Sequence, residues 1–331
     1  LLIHSDIEKN EEVLKMATYL PEGYQTQYDM PVSFRNIADA HEALSSRRIL
    51  EARAVVCDAA HNLIVDLGCM KGIIPREECA IGIKEGTTRD IAIISKVNKP
   101  VCFRVTAVRA DEKFKPYAVL SRREVQEECR RLYIDGLHPG DIIRGRITHM
   151  ESFGCFVDIG CGVIALLPID AISVSRISHP RDRFVVGQNI LAVVKTVGED
   201  GRISLSHKEL LGTWNENAAQ FCAGETVAGI VRSVESYGIF VELAPNLAGL
   251  AELRDDVRVG QQASVYIKSL IPERMKVKLV IVDAFDCEEP PRAVTYYQKE
   301  GHLARFCYSP PQCSRVIETI FDEKEMDEEK N

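Results

Sequence analysis

The chain has 331 residues, of which 46% are apolar and 27% charged, and its formal net charge is −8. These values are typical of a globular protein with two or three domains. It contains no run of 18 apolar residues, and its amino terminus, Leu1-Leu-Ile-His-Ser-Asp, lacks the basic-then-apolar layout of a secretory signal. We therefore expect a cytoplasmic protein with no membrane partner.

The negative charge is concentrated at the two ends of the chain. The net charge is −5 over residues 1–44, +5 over 45–125, 0 over 140–212, −1 over 224–283 and −5 over 284–331. A protein that binds duplex DNA without regard to sequence needs a strongly basic face. The neutral to basic middle excludes that class and leaves room for local positive grooves.

In chain order, residues 1–44 read as an extension with helical patterns at Ile7–Leu20 and Asn36–Ile49. A first set of short β-branched runs follows, and then Ser121-Arg-Arg-Glu124, the signature of a helix capping box. Ser206-His-Lys-Glu209 has the same signature and again precedes an apolar stripe at helical spacing. We expect an amphipathic helix at each place.

Between these signatures one stretch of chain occurs twice, 84 residues apart. Gly140-Asp-Ile-Ile-Arg-Gly-Arg-Ile147 and Glu151-Ser-Phe-Gly-Cys-Phe-Val-Asp-Ile159 align without a gap on residues 224–231 and 235–243. A weaker first copy is visible where Val65-Asp-Leu-Gly68 matches Val157-Asp-Ile-Gly160. Repetition at a fixed period predicts an array of small similar domains.

Each copy predicts five short strands, with a long connection after the third. For the second copy they are Asp141–Met150, Phe153–Ile159, Val163–Pro168, Asn189–Val197 and Arg202–Ser206. This layout is typical of a Greek-key barrel of the oligonucleotide/oligosaccharide-binding (OB) type. The predicted fold is all-β, with three tandem five-stranded OB barrels joined by short amphipathic helices.

The predicted domains follow from this layout. They are an extension (1–44), a first barrel (45–125), a helical linker (126–139), a second barrel (140–206), a helical linker (207–223), a third barrel (224–283) and a carboxy-terminal hairpin, short helix at Val316–Phe321 and acidic tail (284–331).

Two aromatic residues flank a glycine in the second strand of two of the copies. They are Phe153 and Phe156 in the second copy, and Tyr237 and Phe240 in the third. In an ideal strand the two rings would point to opposite faces, but a bulge at Gly154 would bring both to one face. There they would stack on unpaired bases, for about 1–3 kcal/mol per base. The alternative is that each ring fills its own barrel core.

Basic side chains are expected to flank the rings and meet the phosphates. The candidates are Arg144, Arg146, Lys195 and Arg202 in the second copy, and Arg232, Arg254, Lys268, Lys276 and Lys278 in the third. Each of them could instead belong to a solvated face.

The combination Phe/Tyr-Gly-x-Phe-Val-Asp/Glu with Gly-Arg-Ile-Ser-Leu-Ser206 resembles the S1 RNA-binding domain. The three-copy layout is similar to the short ribosomal proteins S1 of Firmicutes. The resemblance implies binding of single-stranded messenger RNA, with the four aromatics as stacking residues and Arg202 and Lys276 as the basic residues of the last strand. It also implies that the first copy contacts the 30S ribosomal subunit or its proteins.

Two other classes of function remain open from the sequence. One is a subunit of an RNA-degrading complex, since the same barrels are appended to such enzymes, and the other is a protein-interaction scaffold with buried rings. We expect no enzyme, cofactor or metal site, because the sequence contains no nucleotide-binding, hydrolase or metalloprotease motif. The adjacent acidic pairs Glu77-Glu78 and Asp255-Asp256 are interpreted as solvated loops.

Overall fold

The computed structural model describes residues 18–24, 32–286 and 294–322. It contains three closed five-stranded barrels and a two-stranded sheet close to the carboxy terminus. The predicted all-β class with three OB-type barrels is confirmed. Most of the helix predicted at Ile7–Leu20, and the acidic tail after Asp322, lie outside the described residues.

Barrel 1 has the strand order β1-β2-β3-β5-β4, in which β3 and β5 run parallel. Its strands are β1 Leu50–Cys57, β2 Leu63–Asp66, β3 Lys71–Ile74, β4 Pro100–Ala110 and β5 Pro116–Ser121. Helix α1, Ile37–Ser46, precedes the barrel, and the Asn36 side chain accepts two N–H groups of its first turn. A four-residue helix α2, Ile91–Ile94, lies between β3 and β4.

Barrels 2 and 3 have the same topology. Barrel 2 consists of β6 Ile142–Glu151, β7 Gly154–Gly160, β8 Val163–Pro168, β9 Asn189–Val197 and β10 Ile203–Ser206. Barrel 3 consists of β11 Thr226–Glu235, β12 Gly238–Ala244, β13 Leu247–Ala251, β14 Gln262–Ile271 and β15 Lys276–Phe285. The last strand closes each barrel by pairing in parallel with the third, as in Leu250 opposite Lys278.

Each barrel keeps its apolar residues inside by alternation along the strands. In β15, Val277, Leu279 and Ile281 are buried, whereas Lys276 and Lys278 between them are exposed. Successive side chains of a strand point to opposite faces, so a period of two in the sequence becomes an inside and an outside. Burial of each such aliphatic side chain stabilises the fold by about 1.5–3 kcal/mol.

Segment 18–24 is anchored by a buried carboxylate. Glu22 accepts hydrogen bonds from Arg122 Nε at 2.5 Å, from Lys96 Nζ at 2.7 Å and from the Cys102 amide at 3.2 Å. Burial alone would raise the pKa of Glu22, but the charges of Arg122 and Lys96 lower it to about 2. The carboxylate is therefore ionised at neutral pH and holds this segment against barrel 1.

The two linkers differ from each other. Helix α3, Arg123–Leu132, follows barrel 1, and Ser121 Oγ accepts the Glu124 N–H at 3.0 Å. After barrel 2 the chain forms a 3-10 turn, Lys208–Leu211, and then the five-residue helix α4, Trp214–Ala218.

The second linker is thus a 3-10 turn and a short helix instead of the one amphipathic helix predicted there. Gly212 interrupts it with φ +82°, a conformation that favours glycine. The capping box that forms is the reciprocal pair Thr213 and Glu216.

The carboxy-terminal segment 294–322 packs on barrels 2 and 3. Strands β16, Arg305–Cys307, and β17, Glu318–Ile320, pair antiparallel. The prediction of a helix at Val316–Phe321 was wrong, because this segment contains β17. A run rich in β-branched residues favours a strand once a partner strand is available. The Tyr308 hydroxyl donates to the Asn246 carbonyl at 2.5 Å, which fixes the segment to barrel 3.

The chain forms two compact units, and the second contains most of barrel 2, all of barrel 3 and residues 294–322. Among the described residues the longest helices have ten residues. A helix that crosses a bilayer needs about 20, and none of those described here has the length and apolar character to do so.

Candidate nucleic-acid interface

Two pairs of aromatic rings lie on the outside of barrels 2 and 3, and we call them the ring pairs. In barrel 2 the ring centroids of Phe153 and Phe156 are 6.1 Å apart with planes at 89°. In barrel 3 those of Tyr237 and Phe240 are 6.1 Å apart at 87°. Phe153 is 54% exposed and Tyr237 66%, while the inner rings are half-buried. The rings are therefore not core residues, and the two pairs have the same geometry.

A two-residue turn places the outer ring of each pair. Glu235 pairs with Gly238 at the end of the β11–β12 ladder, so Ser236 and Tyr237 form the turn between the strands. Barrel 2 has the same arrangement, with β6 ending at Glu151 and β7 beginning at Gly154. Because Tyr237 precedes the strand, its ring is released from the strand's alternation and lies beside Phe240.

This turn replaces the bulge that the sequence suggested at Gly154. The bulge of the β11–β12 ladder occurs on the other strand, between Val231 and Ser233. The glycine is needed for a different reason, which is close backbone approach. A Cβ atom at Gly154 would lie 2.4 Å from the Leu167 carbonyl oxygen, and one at Gly238 would lie 2.6 Å from that of Ala251.

In barrel 3 a row of outward side chains crosses the sheet beside the rings. Ser233 lies opposite Phe240, Phe240 opposite Leu250, and Leu250 opposite Lys278. Residues directly opposite each other in a ladder present their side chains on the same face. The exposed Lys278 therefore lies on the same face as Phe240, two β-strands away from it.

In barrel 2 a third ring extends the pair. The His149 ring is stacked on Phe156, with centroids 6.0 Å apart and planes at 25°, and its Nε2 is 2.6 Å from Glu151 Oε1. His149 is not among the residues chosen from the sequence. The signal was present, because a two-residue turn between residues 151 and 154 puts 149 opposite 156, as Ser233 is opposite Phe240.

We expect His149→Ala to weaken RNA binding by about threefold, because it removes part of the stacking surface of one barrel only. The measurement is fluorescence anisotropy with a labelled single-stranded RNA. Ser233→Ala, at the matching position of barrel 3, is the control and should leave the affinity unchanged. An equal effect of both substitutions would argue that the histidine ring has no role of its own.

Two of the predicted lysines occupy equivalent bulges. Lys195 falls in the irregularity of the β9–β10 ladder between Val194 and Thr196. Lys268 falls in the same place on β14, between Ile267 and Ser269, and Ser269 pairs with Lys278. Lys268 is exposed and Lys195 half-buried. The structure thus brings both lysines to the strand next to the row that contains the rings.

The basic residues that start the last strands are also accessible. The Arg202 side chain is 90% exposed, with its Nε 3.3 Å from Asp200 Oδ2. Lys276 is exposed at the start of β15, two residues before Lys278. Both basic side chains are therefore open to solvent.

Arg232 has a different environment from the one expected. Its side chain is 8% exposed, with Nε 2.9 Å from Glu242 Oε2 and a terminal nitrogen 3.5 Å from Asp182. Arg183 binds the same Glu242 carboxylate at 2.7 and 2.8 Å. Burial would raise the pKa of Glu242, but Arg183 and Arg232 hold it below its usual value. Arg232 is therefore engaged in a buried ion pair, and we leave it out of the interface.

The remaining predicted arginines are also engaged within the protein. Arg254 donates to both oxygens of the Asp256 carboxylate and to the Ile281 carbonyl. Arg144 is exposed and lies 5.8 Å from the centroid of the Tyr24 ring. Arg146 is half-buried, and its Nε would lie 3.0 Å from a Cβ atom at Gly23. Arg144 and Arg146 thus face the segment 18–24.

Barrel 1 presents aliphatic residues where the other two present rings. Val56 lies opposite Ile64, Ile64 opposite Ile73, and Ile73 opposite Val119. The turn before Asn62 has three residues, 59–61, because Asp58 and Asn62 close it, and the Asp58 carboxylate accepts the Ala60 and Asn62 amides. This face therefore offers apolar contact but no π surface.

No group of His, Cys, Asp or Glu side chains with the geometry of a metal site occurs in the described ranges.

One comparison with known proteins concerns barrel 2. Residues 137–208, which enclose barrel 2, match the family model of the S1 RNA binding domain. Barrel 2 is thus similar in sequence to the S1 RNA binding domain. The resemblance noted in the sequence is confirmed.

The chain as a whole is similar to curated ribosomal proteins. It is 28% identical over 257 residues to small ribosomal subunit protein bS1 of Staphylococcus aureus, covering 72% of this chain and 63% of that protein. It is 28% identical over 261 residues to a bS1 homolog of Bacillus cereus, covering 74% and 65%. The chain thus spans less than two thirds of the length of these relatives.

Among solved structures, the chain matches a multidomain protein with nucleic acid binding domains from Streptococcus pneumoniae. The identity is 15%, the TM-score 0.24, and the match covers 73% of this chain and 76% of that one.

Proposed function

We propose that this protein binds single-stranded RNA without catalysing a reaction, by stacking unpaired bases on the ring pairs of barrels 2 and 3. The observation that carries the proposal is the occurrence of the same exposed ring pair, at 6.1 Å and near 90°, in two barrels. Aromatic rings left exposed on a barrel surface gain nothing from core packing, whereas an unstacked base gives them a partner.

The charges around the rings suit a single strand and not a duplex. The fourth and fifth strands of these barrels contain Lys195, Lys268, Lys276 and Lys278, and Arg202 directly precedes a fifth strand. They are too few and too dispersed for the strongly basic face that sequence-independent duplex binding needs. Bases that are paired in a duplex cannot present their faces to the rings.

The relatives suggest where this RNA binding is used. Since they are named small ribosomal subunit proteins, we propose a cytoplasmic role in translation, with messenger RNA as the ligand of barrels 2 and 3. The aliphatic face of barrel 1, with Val56 and Ile64, would contact the small ribosomal subunit or one of its proteins, because apolar exposed surface favours protein contact over phosphate contact.

The test compares a labelled single-stranded RNA of about 12–16 nucleotides, within the site sizes of OB folds, with a hairpin duplex of the same composition. We expect clear preference for the single strand. If five cations meet phosphates, the slope of log affinity against log salt should not exceed roughly 3.5 in magnitude. Absence of binding, or equal binding of the duplex, would contradict the proposal.

A further inference from the structure

The connection between the last two strands of barrel 1 differs from its counterparts in the other two barrels. Residues Asp111-Glu-Lys-Phe-Lys115 join β4 to β5 and form what we call the hairpin tip. The corresponding connections are Gly198-Glu-Asp-Gly-Arg202 in barrel 2 and Pro272-Glu-Arg-Met275 in barrel 3. Neither of them contains an aromatic residue or a lysine. Barrel 1, which has no ring pair, therefore carries a ring of its own at a different place.

Phe114, the ring of the hairpin tip, is unusual in two respects. Its side chain is 89% exposed, more than any other large apolar side chain in the described ranges. Its φ is +58°, in the left-handed region where a bulky side chain costs free energy that glycine or asparagine largely avoids. Neither core packing nor backbone preference accounts for a phenylalanine here. Such a residue indicates a role in binding.

Asp111 holds the hairpin tip in one conformation. Its Oδ1 accepts the amides of Lys115 and Lys113, each at 2.9 Å, and its carbonyl accepts the Phe114 amide at 2.9 Å. The hydrogen bond from the Lys115 amide, that from the Lys113 amide and the charges of Lys71 and Lys115 lower the pKa of Asp111. The ring is thus presented on an ordered turn, which reduces the conformational entropy lost on binding.

Four basic side chains surround this ring. Lys113 and Lys115 flank it in the sequence, and on the strands behind it Tyr117 lies opposite both Arg109 of β4 and Lys71 of β3. Residues opposite each other in a ladder share a face, and Lys71 Nζ is 6.0 Å from the centroid of the Tyr117 ring. All four basic side chains are exposed, and none forms a salt bridge with another described residue.

The acidic residues nearby leave these cations available. Glu112 is exposed at the tip, Asp111 is occupied by the turn, and Asp66 accepts the Gly68 amide at 2.9 Å. Barrel 1 as a whole, residues 45–125, carries a net charge of +5. A ring for a base together with cations for the phosphates is the combination that surfaces for single-stranded nucleic acids present. A duplex does not offer the face of a base to such a ring.

We propose that the hairpin tip of barrel 1 binds an unpaired stretch of RNA, with one base stacked on Phe114 and the neighbouring phosphates at Lys113, Lys115 and Arg109. This goes beyond the proposed function, which gives barrel 1 a contact with the small ribosomal subunit or one of its proteins through its aliphatic face. It does not depend on the ring pairs, because every residue that carries it belongs to barrel 1.

The first test is Phe114→Gly in the full chain, with a labelled, unstructured RNA of about 40 nucleotides, enough for three OB folds at up to about 16 each. We expect the affinity to fall about fivefold, the lower end for one stacked base. The stability of barrel 1, read by hydrogen exchange of its amides, should be unchanged or higher, because glycine relieves the strain at φ +58°. Ile91→Ala, which shortens a 64% exposed side chain of α2, is the control and should bind as the wild type.

The second test concerns the charges. Lys113→Gln with Lys115→Gln should lower the magnitude of the slope of log affinity against log salt by roughly 1.4, since each phosphate contact on a single strand contributes about 0.7. Lys84→Gln with Lys99→Gln removes the same charge from exposed positions of barrel 1 outside the hairpin tip and should leave the slope unchanged. An equal change in both double variants would overturn the proposal, because only the net charge of barrel 1 would then matter.

A third measurement locates the contact directly. Ultraviolet cross-linking of the same RNA, substituted with 5-iodouridine, should label the peptide that contains Phe114 in the wild type and not in Phe114→Gly. At saturating RNA the cross-link should persist in a variant that lacks the four rings of the ring pairs. This separates the hairpin tip from the RNA binding proposed for barrels 2 and 3.

The outcomes distinguish the two proposals. Wild-type affinity in Phe114→Gly, or RNA binding without a cross-link at the hairpin tip, overturns this site and leaves the ring pairs untouched. A loss of barrel 1 stability at unchanged RNA affinity would assign Phe114 a structural role. A cross-link at the tip together with unchanged affinity in the variant without the four rings would support the hairpin site and contradict stacking on the ring pairs. Absence of RNA binding by the wild type overturns both.

Discussion

Replacement of all four rings, Phe153, Phe156, Tyr237 and Phe240, by alanine is expected to lower the affinity for single-stranded RNA at least about thirtyfold. Each stacked base contributes about 1–3 kcal/mol, so the loss of two stacks is sufficient for this factor. The outer rings are exposed at turns and the inner ones are half-buried. The barrels should therefore stay folded, which circular dichroism and the Trp214 emission will verify.

Matched control variants test whether a loss of RNA affinity is due to the loss of the rings and not to any change of the protein surface. Tyr237→Phe retains a ring and should bind as the wild type. Val56→Ala with Ile64→Ala changes the barrel 1 counterpart of the inner ring, Ile64, and the residue opposite it, and should also leave RNA affinity unchanged. Variants that lack the rings of one barrel only should each show part of the loss. An RNA affinity of the four-ring variant within threefold of the wild-type affinity would contradict the stacking interpretation.

Glu242→Gln is expected to destabilise barrel 3 by about 3–5 kcal/mol at neutral pH, because it removes one partner of a buried ion pair. The Glu242 carboxylate is the counter-charge of Arg183 and Arg232. Asp182 remains 3.5 Å from Arg232 after the substitution. Arg183 keeps no carboxylate within 4.0 Å among the described residues.

The protein offers a built-in reporter for this measurement. Its single tryptophan, Trp214, is 2% exposed and packs in the core cluster of barrel 3. Denaturant titration followed by tryptophan emission therefore reads the stability of this barrel in the full chain. Glu252→Gln, at an exposed position of barrel 3, is the control and should change the free energy of unfolding by less than about 0.5 kcal/mol.

The destabilisation should depend on pH in a direction fixed by the lowered pKa of Glu242. A carboxyl whose pKa is lower in the folded than in the unfolded state contributes stability above its unfolded pKa, about 4.3, and loses it as the pH falls through the folded value. The difference in the free energy of unfolding between the wild type and Glu242→Gln should be fully present at pH 7 and should shrink below about pH 4. A gap that is constant down to pH 2 would indicate that the ion pair is not its cause.

The architecture could be predicted from the sequence because repetition and alternation are local signals. The 84-residue repeat located barrels 2 and 3, and the period-two pattern of Val277, Leu279 and Ile281 defined a strand that the structure contains. The prediction for the second linker failed because a single residue, Gly212, interrupts the segment that the apolar stripe marks as one helix.

The candidate site could be predicted only where neighbours in sequence are also neighbours in space. Phe153 and Phe156 are three residues apart, so the ring pair was accessible to pattern reading. Lys278 was a candidate from the sequence, but its place opposite Leu250 follows only from the strand register. His149 was missed because its position beside Phe156 depends on the length of the turn between the strands. The partners of Arg232 and Arg183 come from separate barrels or strands, and no local pattern distinguishes a buried arginine from a solvated one.

Phe153 and Tyr237 each lie in a two-residue turn, where a side chain can change without a change in barrel packing. Tyr237 lies between paired residues, outside the ladder, and Phe240 lies within it. We expect substitutions at the turn to change the proposed RNA-binding surface and to leave barrel packing and strand register intact. On this proposal, RNA affinity can be adjusted residue by residue, through evolution or by design, at nearly constant stability.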